Sequence, residues 1–97
     1  MQLELTDLAK SDLKSILDYT RGRWGEQQMR RYEQLLIEAL LTIEKEPFAA
    51  YTKTVKNGKF QTRYYRMEKH HIYYTIENDT IHVIRILHGQ MNADLHL

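Results

Sequence analysis

The sequence predicts an α+β fold in which a helical hairpin packs on one face of a small antiparallel β-sheet. Two observations support this prediction. Over the first half of the chain, apolar residues recur every three or four positions, which is the spacing of amphipathic helices. Over the second half, the pattern changes to segments rich in tyrosine, isoleucine and valine, which favour strands. The predicted order of elements is therefore β-α-α-β-β-β, followed by a short C-terminal tail.

The composition is that of one folded domain. The chain has 97 residues, the length of a single domain, so we expect residues 1–97 to form one unit. It contains no cysteine, which excludes disulfide bonds and thiolate metal sites. The first residues lack the pattern of an export signal, and no apolar run reaches the ~18 residues of a membrane span. We therefore expect a cytoplasmic protein that makes no contact with a membrane.

Two helices are predicted in the first half of the chain. A brief strand over residues 3–5 precedes an N-cap at Thr6 or Asp7. The first helix then runs to Trp24. Gly25 ends it and begins the second helix, so the two helices are joined by a very short connection.

The second helix carries more apolar residues than one packing surface needs, and Pro47 ends it. One stripe along this helix is formed by Met29, Tyr32, Leu36, Ala39, Leu40 and Ile43. Leu35, Ile37 and Leu41 widen that stripe into a broad arc. Two interpretations follow: the helix is buried on two sides, or part of the arc awaits a partner.

The second half is predicted to form three strands, over residues 59–67, 70–77 and 80–88. Asn78 and Asp79 supply a turn that pairs the last two strands and places Ile72 opposite Arg85. The face predicted to meet the helices carries His70, Ile72, Tyr74, Ile76, Ile81, Val83, Arg85 and Leu87. The opposite face carries His71, Tyr73, Thr75, Glu77, Thr80, His82, Ile84 and Ile86. This face is too mixed in polarity for a core and too apolar for an ordinary solvent-exposed surface.

Positive charge is concentrated in one segment. The net charge is −2 over residues 1–50 and +3 over residues 51–97. Within residues 53–69 a single acidic residue, Glu68, is set against six basic ones: Lys53, Lys56, Lys59, Arg63, Arg66 and Lys69. One interpretation is a surface for a polyanion or an acidic protein segment. The other is that these charges keep an edge strand soluble.

The five histidines do not predict a metal site. His70 and His71 are neighbours in a strand and point to opposite faces. His82 is predicted to face Thr75, which places it more than ~12 Å from His71 along the sheet. We expect neither a metal nor a cofactor. The sequence also lacks a glycine-rich phosphate loop and the GxSxG and HExxH motifs, which excludes catalysis by those routes.

Arg85 is predicted among apolar side chains of the last strand. A guanidinium there must be paired, because burying it without a partner costs several kcal/mol. One interpretation is an ion pair with a helix carboxylate, such as Asp12 or Asp18. The other is a contact with the tail near His88 and Met91 that positions a target-binding surface.

These residues resemble the ParE-type toxins of the RelE/ParE superfamily. The helical half matches through Ala9, Asp12-Leu13, Ile16, Tyr19, Trp24-Gly25, Gln28, Tyr32, Leu36 and Pro47. The strand half matches more specifically, through Arg63, Tyr65, the run from His70 to Tyr74, the run from Ile84 to Met91, and the closing His96-Leu97. The matching residues occur in order over nearly the whole chain.

The resemblance implies the toxin of a bacterial type II toxin-antitoxin pair that poisons DNA gyrase. It also implies a cognate ParD-like antitoxin, whose C-terminal segment folds as it wraps the toxin. No catalytic residues are implied. The target-binding residues are then expected to be Arg63, Arg66, Lys69, Arg85, His88 and Met91, next to the basic stretch of Lys53, Lys56 and Lys59. The expected antitoxin-binding residues are Leu35, Leu41, Tyr73, Ile84 and Ile86.

The sister RelE-type toxins suggest an alternative function, ribosome-dependent cleavage of messenger RNA. In that case the chain would bind nucleic acid directly, and His88 and His96 would be the candidate proton-transfer groups. The tail reads Gln90, Met91 and Leu97, without the arginine and terminal tyrosine that those nucleases use. The resemblance therefore favours the gyrase-directed toxin over the nuclease. A protein of the same fold that has lost toxicity or acts on another partner is the third interpretation.

Overall fold

A computed structural model of the chain describes residues 1–49, 52–54, 61–91 and 93–97, with the backbone alone at residues 94 and 95. Its elements are β1 (Gln2–Leu5), α1 (Asp7–Trp24), α2 (Glu26–Lys45), β2 (Thr52–Thr54), β3 (Arg63–Met67), β4 (His70–Glu77), β5 (Thr80–His88) and α3 (Ala93–His96). The α+β class, the first strand and the helical hairpin are confirmed. None of the described helices is long and apolar enough to cross a bilayer.

The helix ends lie where the sequence predicts them. The Thr6 side chain caps α1 by accepting a hydrogen bond from the Ala9 amide, 3.1 Å away. The same hydroxyl donates to the Ile84 carbonyl, which ties the start of α1 to β5. Gly25 has a φ of +94°, a backbone conformation that costs glycine little, and this lets α2 begin at the very next residue.

The predicted antiparallel pairing of the last three strands is confirmed, and β1 is the parallel strand that makes the sheet mixed. Its strand order is β1-β5-β4-β3-β2, and β1 pairs in parallel with β5. A parallel neighbour is possible because the whole helical hairpin separates these two strands along the chain. The edge strand β2 was not predicted, and β3 begins at Arg63 rather than at residue 59. Residues 59 and 60 lie outside the described part of the chain.

The β4–β5 hairpin follows the predicted pairing up to a β-bulge. Asn78 and Asp79 both have positive φ, as the tight turn requires, and Glu77 lies opposite Thr80. The register then shifts by one residue between Tyr73 and Tyr74, which leaves Ile84 as the extra residue.

This bulge overturns the predicted faces beyond it. Ile86, and not Arg85, lies opposite Ile72 and enters the core. Arg85 lies opposite Tyr73, and Leu87 lies opposite His71. The predicted positions of Ile86 and Leu87 were therefore wrong, because one inserted residue reverses the alternation of every side chain that follows.

The core lies between the hairpin and the sheet. Its buried members include Ala9, Leu36, Ala39, Ile43, Met67, Ile72, Tyr74, Ile81, Val83 and Ile86. Tyr74 is completely buried, and its hydroxyl donates to the Pro47 carbonyl at 2.6 Å. This bond fixes the chain leaving α2 against the middle of the sheet.

Candidate functional site

A groove of about 800 Å³ opens at the closed end of the helical hairpin. It lies where the last turns of α1 and the first turns of α2 meet the β3–β4 turn and the end of β5. Its walls are Ser15, Ile16, Tyr19, Thr20 and Trp24 of α1, Gln28, Arg31 and Tyr32 of α2, and Glu68, Lys69, His70 and His88 of the sheet and turn. The walls thus combine aromatic rings, hydrogen-bonding groups and charged side chains.

Two aromatic side chains at this groove are exposed to solvent. Trp24 is 65% exposed and Tyr19 is 68% exposed, both on α1. The guanidinium of Arg23 lies 5.4 Å from the centre of the Trp24 ring, a cation–π contact. The sequence pattern placed Trp24 at the end of the first helix and did not mark it as a surface residue. Its position next to Gly25, where the helix ends, was the available signal.

Tyr32 and His70 form a hydrogen bond at the base of the groove. The Tyr32 hydroxyl and the His70 Nδ1 atom are 2.5 Å apart, and the His70 ring also meets the His88 ring edge-on at 5.5 Å. Burial lowers the pKa of His70 below its ordinary value, and nearby His88 and His71 lower it further. Burial also raises the pKa of Tyr32 above its ordinary value, with a further contribution from the Glu68 charge.

These shifts favour the uncharged form of both groups near pH 7. Tyr32 keeps its proton and the neutral form of His70 predominates, and the tautomer of the imidazole decides which of the two groups donates. The groove therefore has a polar base that carries no formal charge from these two groups.

The end of β5 is held against the β3–β4 turn. The Gly89 amide donates to the Lys69 carbonyl at 2.7 Å. A Cβ atom at position 89 would lie 3.2 Å from Nε2 of His71, so a larger residue would press on that ring. His71 itself stacks on Tyr64, with ring centres 4.6 Å apart, on the face of the sheet away from the helices.

Arg85 is paired with Asp12 of α1, one of the two carboxylates predicted for it. Its Nε and Nη2 atoms donate to the two carboxylate oxygens at 2.8 and 2.9 Å. Its Nη1 atom donates to the His96 carbonyl at 3.2 Å. The predicted pairing of Arg85 with a helix carboxylate is therefore confirmed. Its tail contact is at His96 rather than near His88 and Met91, and a role in positioning a target-binding surface stays a prediction.

The predicted target-binding residues are spread over the molecule. Lys69 and His88 line the groove. Met91, three residues beyond His88 in the chain, is 41% exposed to solvent. Arg66 is exposed, and its Nε atom donates to the Glu68 carbonyl at 3.4 Å. Arg63 is instead engaged with neighbouring segments, since its guanidinium lies over the Phe48 ring at 5.3 Å and its Nε donates to the Thr52 hydroxyl. In the basic stretch Lys53 is exposed on β2, while Lys56 and Lys59 lie outside the described residues.

The predicted antitoxin-binding residues differ in their exposure to solvent. Leu41 is 58% exposed on α2, whereas Leu35 is half-buried and packs partly on the core. Ile84 is half-buried at the bulge. Tyr73 is 4% exposed, and Ile86 is 2% exposed and belongs to the core. The prediction that Ile86 lies on the outer face was wrong, because the bulge at Ile84 turns it inward.

No metal centre is formed by the described side chains. Among residues 1–49, 52–54, 61–91 and 93–97, no three histidine or acidic side chains are grouped so as to hold an ion.

Comparison with known proteins identifies the family. The sequence model of one protein family, the ParE toxin of the type II toxin-antitoxin system parDE, matches residues 3–93. The chain belongs to the ParE toxin family. It is also 30% identical over 93 residues to Toxin ParE1 of Caulobacter vibrioides, with 96% of this chain and 94% of that protein covered.

Solved structures of toxin-antitoxin proteins share the fold. A chain of the chromosomal ParDE system from Pseudomonas aeruginosa superimposes with a TM-score of 0.71 at 19% identity, covering 91% of this chain and 95% of that one. A chain of the RelBE2 complex from Mycobacterium tuberculosis gives a TM-score of 0.65 at 18% identity, covering 90% and 95%. At these identities the likeness concerns the fold, which ParE-type and RelE-type proteins have in common.

Proposed function

We propose that this ParE-family toxin of a type II toxin-antitoxin system inhibits DNA gyrase and is neutralised by a ParD-like antitoxin. The observation that carries the proposal is the ParE family match over residues 3–93. The similarity to Toxin ParE1 over nearly the full length of both chains supports it. The toxin then acts by binding, so a surface with anchoring side chains matters more than an acid-base pair.

The exposed arc of α2 suits the antitoxin. Ile37 and Leu41 are 44% and 58% exposed, and each would be covered by an apolar segment laid along the helix. Amphipathic segments that fold on binding commonly dock in this way, through apolar anchors at helical spacing. Ile37 and Leu41 are four residues apart and so lie on the same side of α2.

Cleavage of ribosome-bound messenger RNA is the competing function, and the arrangement of side chains supports it less. The Arg63 side chain contacts Phe48 and Thr52 and lies away from the groove. The resemblance places the nucleases' arginine and terminal tyrosine in the tail, where this chain has Gln90, Met91 and Leu97. The shared fold with the RelBE2 chain does not separate the two functions.

Induction of the toxin in bacteria separates these functions. We expect cells induced without antitoxin to filament, with DNA breaks and altered plasmid supercoiling, while messenger RNA stays intact at early times. Co-expression of the cognate antitoxin should restore growth. Prompt cleavage of ribosome-bound messages, with normal supercoiling, would instead establish the nuclease and overturn the proposal.

A further inference from the structure

Among the exposed apolar side chains of the helical hairpin, two groups lie in separate places. One place is the arc of α2 around Leu41. The other is the groove at the closed end, with Trp24 and Tyr19. Leu41 lies 15 residues beyond the start of α2, or ~22 Å along the helix axis at 1.5 Å per residue. The two places are therefore distinct surfaces, and an antitoxin anchored on the α2 arc leaves the groove without an assigned occupant.

The groove has the residue types that anchor protein partners. Its exposed side chains include a tryptophan, a tyrosine and an arginine, the three types that contribute most to binding energy at interfaces. Arg31 and Lys69 are both exposed and flank the polar base formed by Tyr32 and His70. The only carboxylate among the described lining residues is Glu68. The groove thus presents apolar rings beside a small excess of positive charge.

We propose that this groove binds an acidic peptide segment of the toxin's protein target. Carboxylates of the segment pair with Arg31 and Lys69, and an apolar side chain packs on the Trp24 ring. This inference rests on the proposed function, in which the target is gyrase. It assigns the target to the groove and the antitoxin to the α2 arc.

The charge balance favours a protein segment over a nucleic acid. Nucleic acids bind through many phosphate contacts and need several clustered cations. Among the described lining residues, Arg31 and Lys69 each carry a full positive charge, and Glu68 offsets one of them. A segment with one or two carboxylates matches this charge, whereas a polyphosphate backbone does not.

Charge reversal at the groove tests the proposal. Arg31→Glu and Lys69→Glu should each raise at least tenfold the toxin concentration needed to inhibit purified gyrase, and Trp24→Ala should do the same. Arg30→Glu is the matched control, because Arg30 is the adjacent exposed arginine on α2 and does not line the groove. Arg30→Glu should inhibit gyrase as the unmodified toxin does. Melting temperatures should change little for any of these exposed positions, and antitoxin affinity should be unchanged.

The single tryptophan provides a second, direct readout. With 5-fluorotryptophan at position 24, the ¹⁹F resonance should shift when purified gyrase is added and stay unshifted with a single-stranded RNA oligonucleotide. A shift with RNA would assign the groove to nucleic acid, and a loss of antitoxin affinity in Arg31→Glu would assign it to the antitoxin. Either result overturns the inference.

The outcomes also separate this inference from the proposed function. If the unmodified toxin inhibits gyrase and Arg31→Glu inhibits it equally well, the groove assignment is wrong and the function stands. If the unmodified toxin leaves gyrase active, the proposed function itself is wrong, and the assignment of this target to the groove is wrong with it.

Discussion

Asp12 of α1 binds the guanidinium of Arg85 through both of its carboxylate oxygens and also accepts the Ile86 amide at 2.9 Å. The parallel strand β1 ends its pairing with β5 at Val83, so the Ile86 amide has no β1 partner. The Asp12 carboxylate therefore accepts the amide hydrogen bond that a neighbouring strand would otherwise accept, and it neutralises the half-buried Arg85 cation. This links α1, β5 and, through the His96 carbonyl, the tail.

Removing either member of this pair should destabilise the fold. Arg85→Glu leaves the Asp12 carboxylate facing a second negative charge, with side chains only 19% and 15% exposed in the native pair. We expect the free energy of unfolding to fall by about 3 kcal/mol. This is the lower end of the range for buried ion pairs that lose one partner, because both groups keep some contact with water. Urea denaturation measures this. Lys14→Gln, which removes the exposed pair with Asp18, should change stability far less.

Asp12→Asn should be milder than Arg85→Glu, because an amide oxygen can still accept from the Ile86 amide. Equal stability of Arg85→Glu and the unmodified chain would contradict the role given to this pair.

The bond between Tyr74 and Pro47 gives a second stability prediction. Tyr74→Phe removes a buried hydroxyl and leaves the Pro47 carbonyl without its 2.6 Å donor. We expect a loss of roughly 1–2 kcal/mol in thermal or urea unfolding. Tyr19→Phe makes the same chemical change at a side chain that is 68% exposed, and it should leave stability unchanged. If the two variants behave alike, the hydrogen bond contributes nothing measurable.

His70 makes stability depend on pH. Its folded pKa lies below the ordinary 6.5, because burial disfavours the charged ring and His88 and His71 add to the effect. The unfolded chain therefore binds more protons than the folded one as pH falls through 6.5, so folding is most favoured above that pH. The free energy of unfolding should decrease from pH 7 toward pH 5. His70→Gln should reduce this slope, and an unchanged slope in that variant would contradict the assignment.

Leu41 tests the antitoxin surface. Leu41→Glu should weaken antitoxin binding by roughly 2 kcal/mol or more, as for an interface anchor, while the free toxin keeps its melting temperature. Gln27→Glu adds the same charge at an exposed position near the start of α2 and should bind normally. Calorimetry on the two complexes gives the comparison. Tight binding by Leu41→Glu would exclude the arc as the antitoxin site.

Periodicity and turn chemistry predicted much of the fold. Gly25, Pro47 and the Asn78-Asp79 turn marked boundaries that the structure confirms, because each restricts the backbone locally. A cation among apolar strand residues needs a partner, and of the two partners predicted for Arg85 the structure confirms the helix carboxylate.

The bulge could not be predicted. Side chains of a strand point alternately to its two faces, and Ile84, Ile86 and Leu87 place apolar residues on both. The sequence pattern therefore does not show which of them faces the core. The three-residue β2 is too short for a periodic signal, and the parallel position of β1 depends on how the hairpin packs. The groove arises from three distant segments, and the exposure of Trp24 depends on where α2 turns back.

A supercoiling assay with purified components tests the central claim most directly. Relaxed plasmid, gyrase and ATP are incubated with increasing toxin, with and without one equivalent of the cognate antitoxin. We predict that the toxin blocks supercoiling in proportion to its concentration and that the antitoxin restores it. Full supercoiling at a large excess of folded toxin that still binds its antitoxin would contradict gyrase as the target.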